Sequence, residues 1–341
     1  MDTIAEASSG GTVATAKLAG FATGVWHPED LVALEGTPWI VVSAMRSMRG
    51  RGALLAIDCS GPAPAAIEID WRPEAEAGRR SLQAFDPHGI DARRIAEQRY
   101  ELLVVDHGDG EAIDRLTVDL RGGRPVIVGG RQIRKPTGTS GNAVAFLPDG
   151  GFVMTSMFDP RDPGFVAKFA EARTTGGVWR WSDAGGWRRI GPDLSGANGI
   201  AVTADGHHIV VSEWAARRIW SLSLSGAVET STDVDFLPDN LRWRPDGNLL
   251  VAGQSARPET LFDCEARGGP CPLAFVVAAV AWPDLSVTPL LRISQAEAAQ
   301  MGFGGATGAL DVGSETWVAS FTGEKIARFE LPLACDRAGR K

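Results

Sequence analysis

The chain has 341 residues, 44% of them hydrophobic, which is enough for a large buried core, and 22% charged, as in ordinary globular proteins. A net charge of −8 and the lack of any Lys/Arg-rich tract argue against a nucleic-acid partner. No run approaches the roughly 18 apolar residues that a membrane span requires, so none is expected.

The first residues, "MDTIAEASSGGTVATAK", are small and polar and lack the charged-then-apolar order of a signal peptide. Segment 1–20 is read as flexible or peripheral, and the compartment as cytoplasmic or as reached with a leader removed. From there on, short apolar runs alternate with Gly- and Pro-containing turns, which predicts an all-β protein. One phrase recurs: a polar residue, a small residue, an apolar strand, a turn and a second apolar strand. It begins at Glu29 ("EDLVALEGTPWIVVSA"), His88, Asn142, Asn198 ("NGIAVTADGHHIVVSE"), Asp239 and Thr307. The six starts lie 41 to 68 residues apart, and each interval holds a further strand pair.

Four antiparallel strands per unit is the size of a propeller blade, so six units predict a six-bladed β-propeller. The alternative is two β-sandwiches, but no linker or composition break divides the chain. Residues 21–333 are therefore read as one domain and 334–341 as a tail. The insertion 158–177 interrupts the third unit, and its "GFVAKFAEA" predicts a short helix near the candidate active-site face. The last strand, "KIARFELPL", is expected to complete a blade begun at the N-terminus. Cys59, Cys264, Cys271 and Cys335 lack CxxC spacing and read as free or buried thiols. A Cys264–Cys271 bridge across "EARGGP" is the alternative.

Equivalent positions on six blades form a ring around the axis. The first template position gives Glu29, His88, Asn142, Asn198, Asp239 and Thr307, all polar at the mouths of apolar strands. The second gives Asp30, Gly89, Ala143, Gly199, Asn240 and Gly308. Converging carboxylates and amides need partners, and a Ca²⁺ ion, which takes six to eight oxygens, would supply one. Glu29 and Asp239 would balance its charge, with Asn142, Asn198 and Asn240 adding neutral oxygens. The alternative is that each side chain merely bonds its own turn. His88 is the one imidazole of the ring, and His107 ends the partner strand of the same hairpin, so the two are expected to meet and act as a base pair. His207 and His208 are expected to face solvent, and His27 to be exposed or at the mouth. Met157, Phe158, Trp214, Phe262, Phe303 and Thr307 are candidate pocket walls.

The phrases "PEDLV", "PHGI", "LLVVDH", "ANGIAVTADGHHIVVSE" and "PDNLRWRPDGNLLV" resemble those of the paraoxonase (arylesterase/lactonase) family and, more distantly, of the gluconolactonase/regucalcin-like propellers. The resemblance runs from about Gly24 to Phe321 and extends to the insertion after Met157. It implies a catalytic calcium held by Glu29, Asn142, Asn198, Asp239 and Asn240, with His88 and His107 as the histidine pair. It also implies a second calcium on Asp30, the carbonyl of Ile90 and an acid following Asn142, where this chain has Ala143 instead.

Taken together, these features predict a calcium-dependent hydrolase acting on a small-molecule lactone or aryl ester. The metal would polarise the carbonyl and a histidine would activate water. No Gly-x-Ser-x-Gly elbow suggests a serine hydrolase. A phosphotriesterase, isomerase or lyase on the same cage is the first rival, and a non-catalytic binding propeller the second.

Overall fold

The computed structural model describes residues 16–46, 51–73, 82–108, 110–267 and 271–331. Six antiparallel sheets form in chain order, each with its first strand innermost. These inner strands are Pro28–Ala33, Pro87–Ala96, Ser140–Phe146, Ala197–Val202, Leu237–Trp243 and Ala306–Val312. Each touches the inner strands on both sides, so the sheets close into a six-bladed propeller with four antiparallel strands per blade. The second blade adds a two-residue strand, Asp70–Trp71, parallel to its edge.

Strands such as Trp39–Ala44 are apolar along nearly their whole length rather than alternating, because both faces of each sheet are covered. In that strand Val41 packs toward blade 2, while Ile40 and Val42 pack toward blade 6. Six clusters of the described core lie one between every pair of neighbouring blades, and a seventh gathers Phe169, Trp214 and Leu261 at one face of the ring.

The ring closes on the sixth blade. The N-terminal strand Lys17–Ala22 pairs antiparallel with Ile326–Glu330 and forms the blade's outer edge. Residues 17–20, read from sequence as peripheral, thus belong to the sheet, because closure needs an outer strand. Residues 1–15 and 334–341, with Cys335, lie outside the described residues.

Among the described residues three α-helices decorate the ring: α1 (Phe165–Ala170), α2 (Pro258–Arg267) and α3 (Gln295–Met301). The first is the helix expected in the insertion. The other two were not foreseen, although α3 carries a plain signal. Ser294 and Glu297 form a capping box, and Gly302 ends the helix in the left-handed region. Cys264 of α2 is disulfide-bonded to Cys271, with 5.9 Å between Cα atoms, so the free-thiol reading fails for this pair; Cys59 remains free. Among the described residues no helix is long and apolar enough to cross a membrane.

Candidate metal centre and active site

In every blade the pairing between inner and second strands slips at the ring position. The register shifts fall between Pro28 and Asp30, Pro87 and Ile90, Gly141 and Val144, Ala197 and Ile200, Pro238 and Leu241, and Ala306 and Gly308. A bulge releases residues from the ladder and re-aims their side chains. Strict alternation therefore fails at these points. Glu29 and Asp30 are both buried, as are Asp239 and Asn240. Glycine permits the tight approach of neighbouring blades. A Cβ on Gly89 would lie 2.3 Å from the Asn142 carbonyl oxygen, and one on Gly199 would lie 2.2 Å from that of Asp239.

Glu29, His88, Asn142, Asn198, Asp239 and Thr307 all line one cavity of about 110 Å³. Asn240 sits beside it and donates to Glu29 Oε1 at 2.8 Å. Asn198 bonds to Asp239, Asn142 donates to His88 Nε2 at 3.2 Å, and His88 Nε2 lies 3.5 Å from Glu29 Oε1. Thr307 Oγ1 donates to the Glu29 carbonyl at 2.6 Å. After all these bonds, five buried oxygens of these ring residues have no hydrogen-bond partner among the described residues: Glu29 Oε2, Asn142 Oδ1, Asn198 Oδ1, Asp239 Oδ1 and Asn240 Oδ1.

Burial, with Asp30 and Asp239 nearby, pushes the Glu29 carboxyl well above its usual range. Burial likewise pushes Asp239 up to about 8, with Asp30 adding to the shift and bonds from Gln254 and Asn198 opposing it. Two repelling carboxyls and three amide oxygens, each left short of a partner, are the donor set that a hard cation such as Ca²⁺ takes. Among the described residues no three His, Cys, Asp or Glu side chains group to hold a metal. The fit rests on the amides, as expected for a hard rather than a thiophilic ion.

The histidines meet. His88 Nδ1 is 3.3 Å from His107 Nε2, and His107 Nδ1 is 2.8 Å from Glu111 Oε1. The amide of Asn142 donates to His88 Nε2, so the neutral His88 carries its proton on Nδ1 and donates to His107. His107 then carries its proton on Nδ1 and donates to Glu111. Burial, followed by the neighbouring His107 and Lys135 charges, holds His88 well below its ordinary value. It is neutral, and its Nε2 lone pair, at the cavity, accepts from Asn142. Burial alone would raise Glu111, but its bonds to His107 and Lys135 outweigh that and bring it to about 2. Lys135, buried, forms an ion pair with Glu111. The sequence reading missed both residues, because nothing in the repeat marks the loop positions that follow the second and fourth strands of that blade.

The remaining lining is apolar: Met45, Met157, Trp214, Leu261, Phe262 and Phe321. Helices α1 and α2 meet over this wall. Phe158 stacks on Phe165 at 4.0 Å, and Phe262 packs against Phe165 and Phe169 at 5.6 and 5.9 Å. Phe158 thus backs the wall without lining the cavity. Phe303 is absent from the wall; it is buried in the core between Phe21 and Phe275 of blades 6 and 5. Trp214 Nε1 donates to Gln254 Oε1 at 2.9 Å, and Gln254 Nε2 donates to Asp239 Oδ2 at 2.8 Å, coupling wall to cage through a buried amide that the sequence reading passed over. His207 is exposed, and His208 is partly exposed and paired with Glu229. His27 is half-buried and does not line the cavity.

The candidate second site looks different. Asp30 and the Ile90 carbonyl are both bonded to the Arg242 guanidinium.

No protein-family model matches this sequence, and neither does any curated protein. Solved structures do resemble it. A gluconolactonase from Xanthomonas campestris is 18% identical, with 92% of this chain and 89% of that one covered and a TM-score of 0.54. Regucalcin, a calcium-binding protein from Agrobacterium tumefaciens, is 12% identical over 94% of each chain, with a TM-score of 0.53. Virginiamycin B lyase from Staphylococcus aureus is 13% identical over 92% of this chain and 97% of that one, with a TM-score of 0.52. At these identities the likeness is one of fold: the chain has the six-bladed propeller architecture of the gluconolactonase and regucalcin structures.

Proposed function

We propose that this protein is a calcium-dependent hydrolase of lactones and aryl esters, as the resemblance to the paraoxonase family also suggests. The observation that carries the reading is the set of five unpartnered buried oxygens on Glu29, Asn142, Asn198, Asp239 and Asn240, beside a neutral histidine at the same cavity. These side chains would hold the ion. When bound, Ca²⁺ supplies positive charge that polarises a carbonyl and stabilises the oxyanion formed from it.

The chain's own groups supply the proton chemistry. His88 Nε2, once a water replaces the Asn142 N–H as its partner, takes a proton from that water as the water oxygen bonds to the carbonyl carbon. The His88 Nδ1 proton passes to His107 Nε2, and Glu111 stabilises the imidazolium that results. When the carbon–oxygen bond of the ester breaks, the proton returns along the same path to the departing oxygen. Met157, Trp214 and Phe262 exclude bulk water from the cavity, which strengthens these charge interactions.

The test is hydrolysis of simple lactones and phenyl acetate before and after calcium is stripped, and after it is restored. Activity should vanish and return. His88→Ala should retain calcium and lose on the order of 10²-fold or more in kcat. Activity that survives full calcium removal sinks the proposal. A calcium-loaded protein inert toward both substrate classes points to another reaction, such as the elimination implied by the lyase among the similar folds.

A further inference from the structure

Arg242 follows the cage residue Asn240 by two positions on the inner strand of blade 5 and crosses the propeller axis. Its Nη2 bonds to Asp30 Oδ2 and to the Ile90 carbonyl at 2.6 Å, its Nε to the Leu31 carbonyl at 3.1 Å and its Nη1 to the Leu241 carbonyl at 3.0 Å. One side chain therefore ties blade 5 to blades 1 and 2. Asp30 is satisfied on its other sides. Oδ1 accepts from the Leu31 N–H at 2.8 Å, and Oδ2 also accepts from the Ile90 N–H at 2.9 Å.

This oxygen set, one buried carboxylate with main-chain carbonyls around it, is the kind that coordinates a hard cation. Here a guanidinium holds it. The ring position where a second carboxylate would be needed is Ala143, which is apolar and buried. In contrast to Glu29, Asn142, Asn198, Asp239 and Asn240, neither Asp30 nor any atom of Arg242 is left short of a partner. Arg242 also lines the wide bowl at the other mouth of the channel, so its head group lies between that bowl and the layer of Asp30.

We propose that Arg242 is a built-in cation, its guanidinium standing where a second metal ion would otherwise bind, so that the chain offers one axial metal site and closes its channel toward the opposite face. A covalently carried charge cannot be chelated away. The Asp30 layer therefore stays assembled at any calcium concentration, and only the cavity side responds to the ion. The proposal is independent of the reaction performed in the cavity.

Calcium stoichiometry tests it, by calorimetric titration of the full chain, wild type against Asp30→Asn, Arg242→Met and the double variant Arg242→Met/Ala143→Asp. Wild type and Asp30→Asn should bind the same number of ions. The double variant should bind one more, and its melting temperature should become more calcium-dependent than that of wild type. Arg242→Met alone should melt lower than wild type at every calcium concentration. A wild-type ion that is lost in Asp30→Asn overturns the proposal, and so does a folded double variant that gains no ion. If the double variant does not fold, the first comparison decides alone. A wild type that binds no calcium contradicts the reading of the cavity cage but leaves the increment of one intact, which keeps the two claims separable.

Discussion

Asn142 shows how much a single side chain fixes. Its amide nitrogen donates to His88 and its amide oxygen has no protein partner, so one residue orients the base and offers an oxygen to the ion. The proton order along His88, His107 and Glu111 follows from that one bond. Glu111 acts through His107 and is a positioning residue. Glu111→Gln should keep calcium affinity, lower kcat by on the order of 10-fold and shift the acidic limb of the pH–rate profile to lower pH, because a neutral amide no longer stabilises the imidazolium that forms on His107. An unchanged profile would remove Glu111 from the relay.

The cage also carries a pH signature. The folded Asp239 carboxyl titrates at about 8, raised by burial first, above its value in an unfolded chain. Its stabilisation is thus complete below the ordinary carboxylate range and is lost as pH climbs toward about 8. Calcium-stripped protein should melt at progressively lower temperature across that window, and added calcium should restore more stability at the upper end. A flat or rising melting curve for stripped protein would contradict this account of Asp239.

At the scale of the strand, the bulge is the device that builds the site. All six inner strands slip register at the ring, and the slip lets adjacent residues such as Asp239 and Asn240 both present oxygens. The repeat made the ring legible because a polar residue opens each apolar run. The bulge itself is invisible in sequence, since no residue pattern distinguishes it from a turn. Gly199 is where the strand geometry is least tolerant. An added Cβ would press on the Asp239 carbonyl and, at 2.8 Å, on Asn240 Cα. Gly199→Ala should destabilise the protein by about 1–3 kcal/mol and weaken calcium binding together with it, read by denaturation and titration. A neutral outcome would mean that the cage does not depend on this close approach.

Helix α2 was missed although its residues are amphipathic, because a run of ten residues between two strands is short for a helical period to stand out. Its bridge to Cys271 was the lesser of two sequence readings, because spacing alone does not reveal a short Cα–Cα distance.

The whole molecule is a closed ring whose cores lie between blades and whose polar residues meet at the axis. Architecture was readable from the template, since six repeats of apolar strand pairs have few ways to bury both faces of every sheet. The five candidate oxygen donors and both histidines were readable for the same reason. Contacts made from positions other than the ring positions of the template were not. Lys135 behind Glu111, Gln254 behind Asp239 and Arg242 beneath the cage each arrive from positions whose roles depend on three-dimensional closure. Phe303 was misjudged because an aromatic near a strand start can face a neighbouring blade as readily as the axis.

The most direct test of the central claim is a crystal structure of the calcium-soaked protein, read at the channel axis. The account predicts one cation with Glu29 Oε2, Asn142 Oδ1, Asn198 Oδ1, Asp239 Oδ1 and Asn240 Oδ1 at about 2.3–2.6 Å from it. An axis without such a peak, or an Asn198 oxygen turned away from it, would contradict the account.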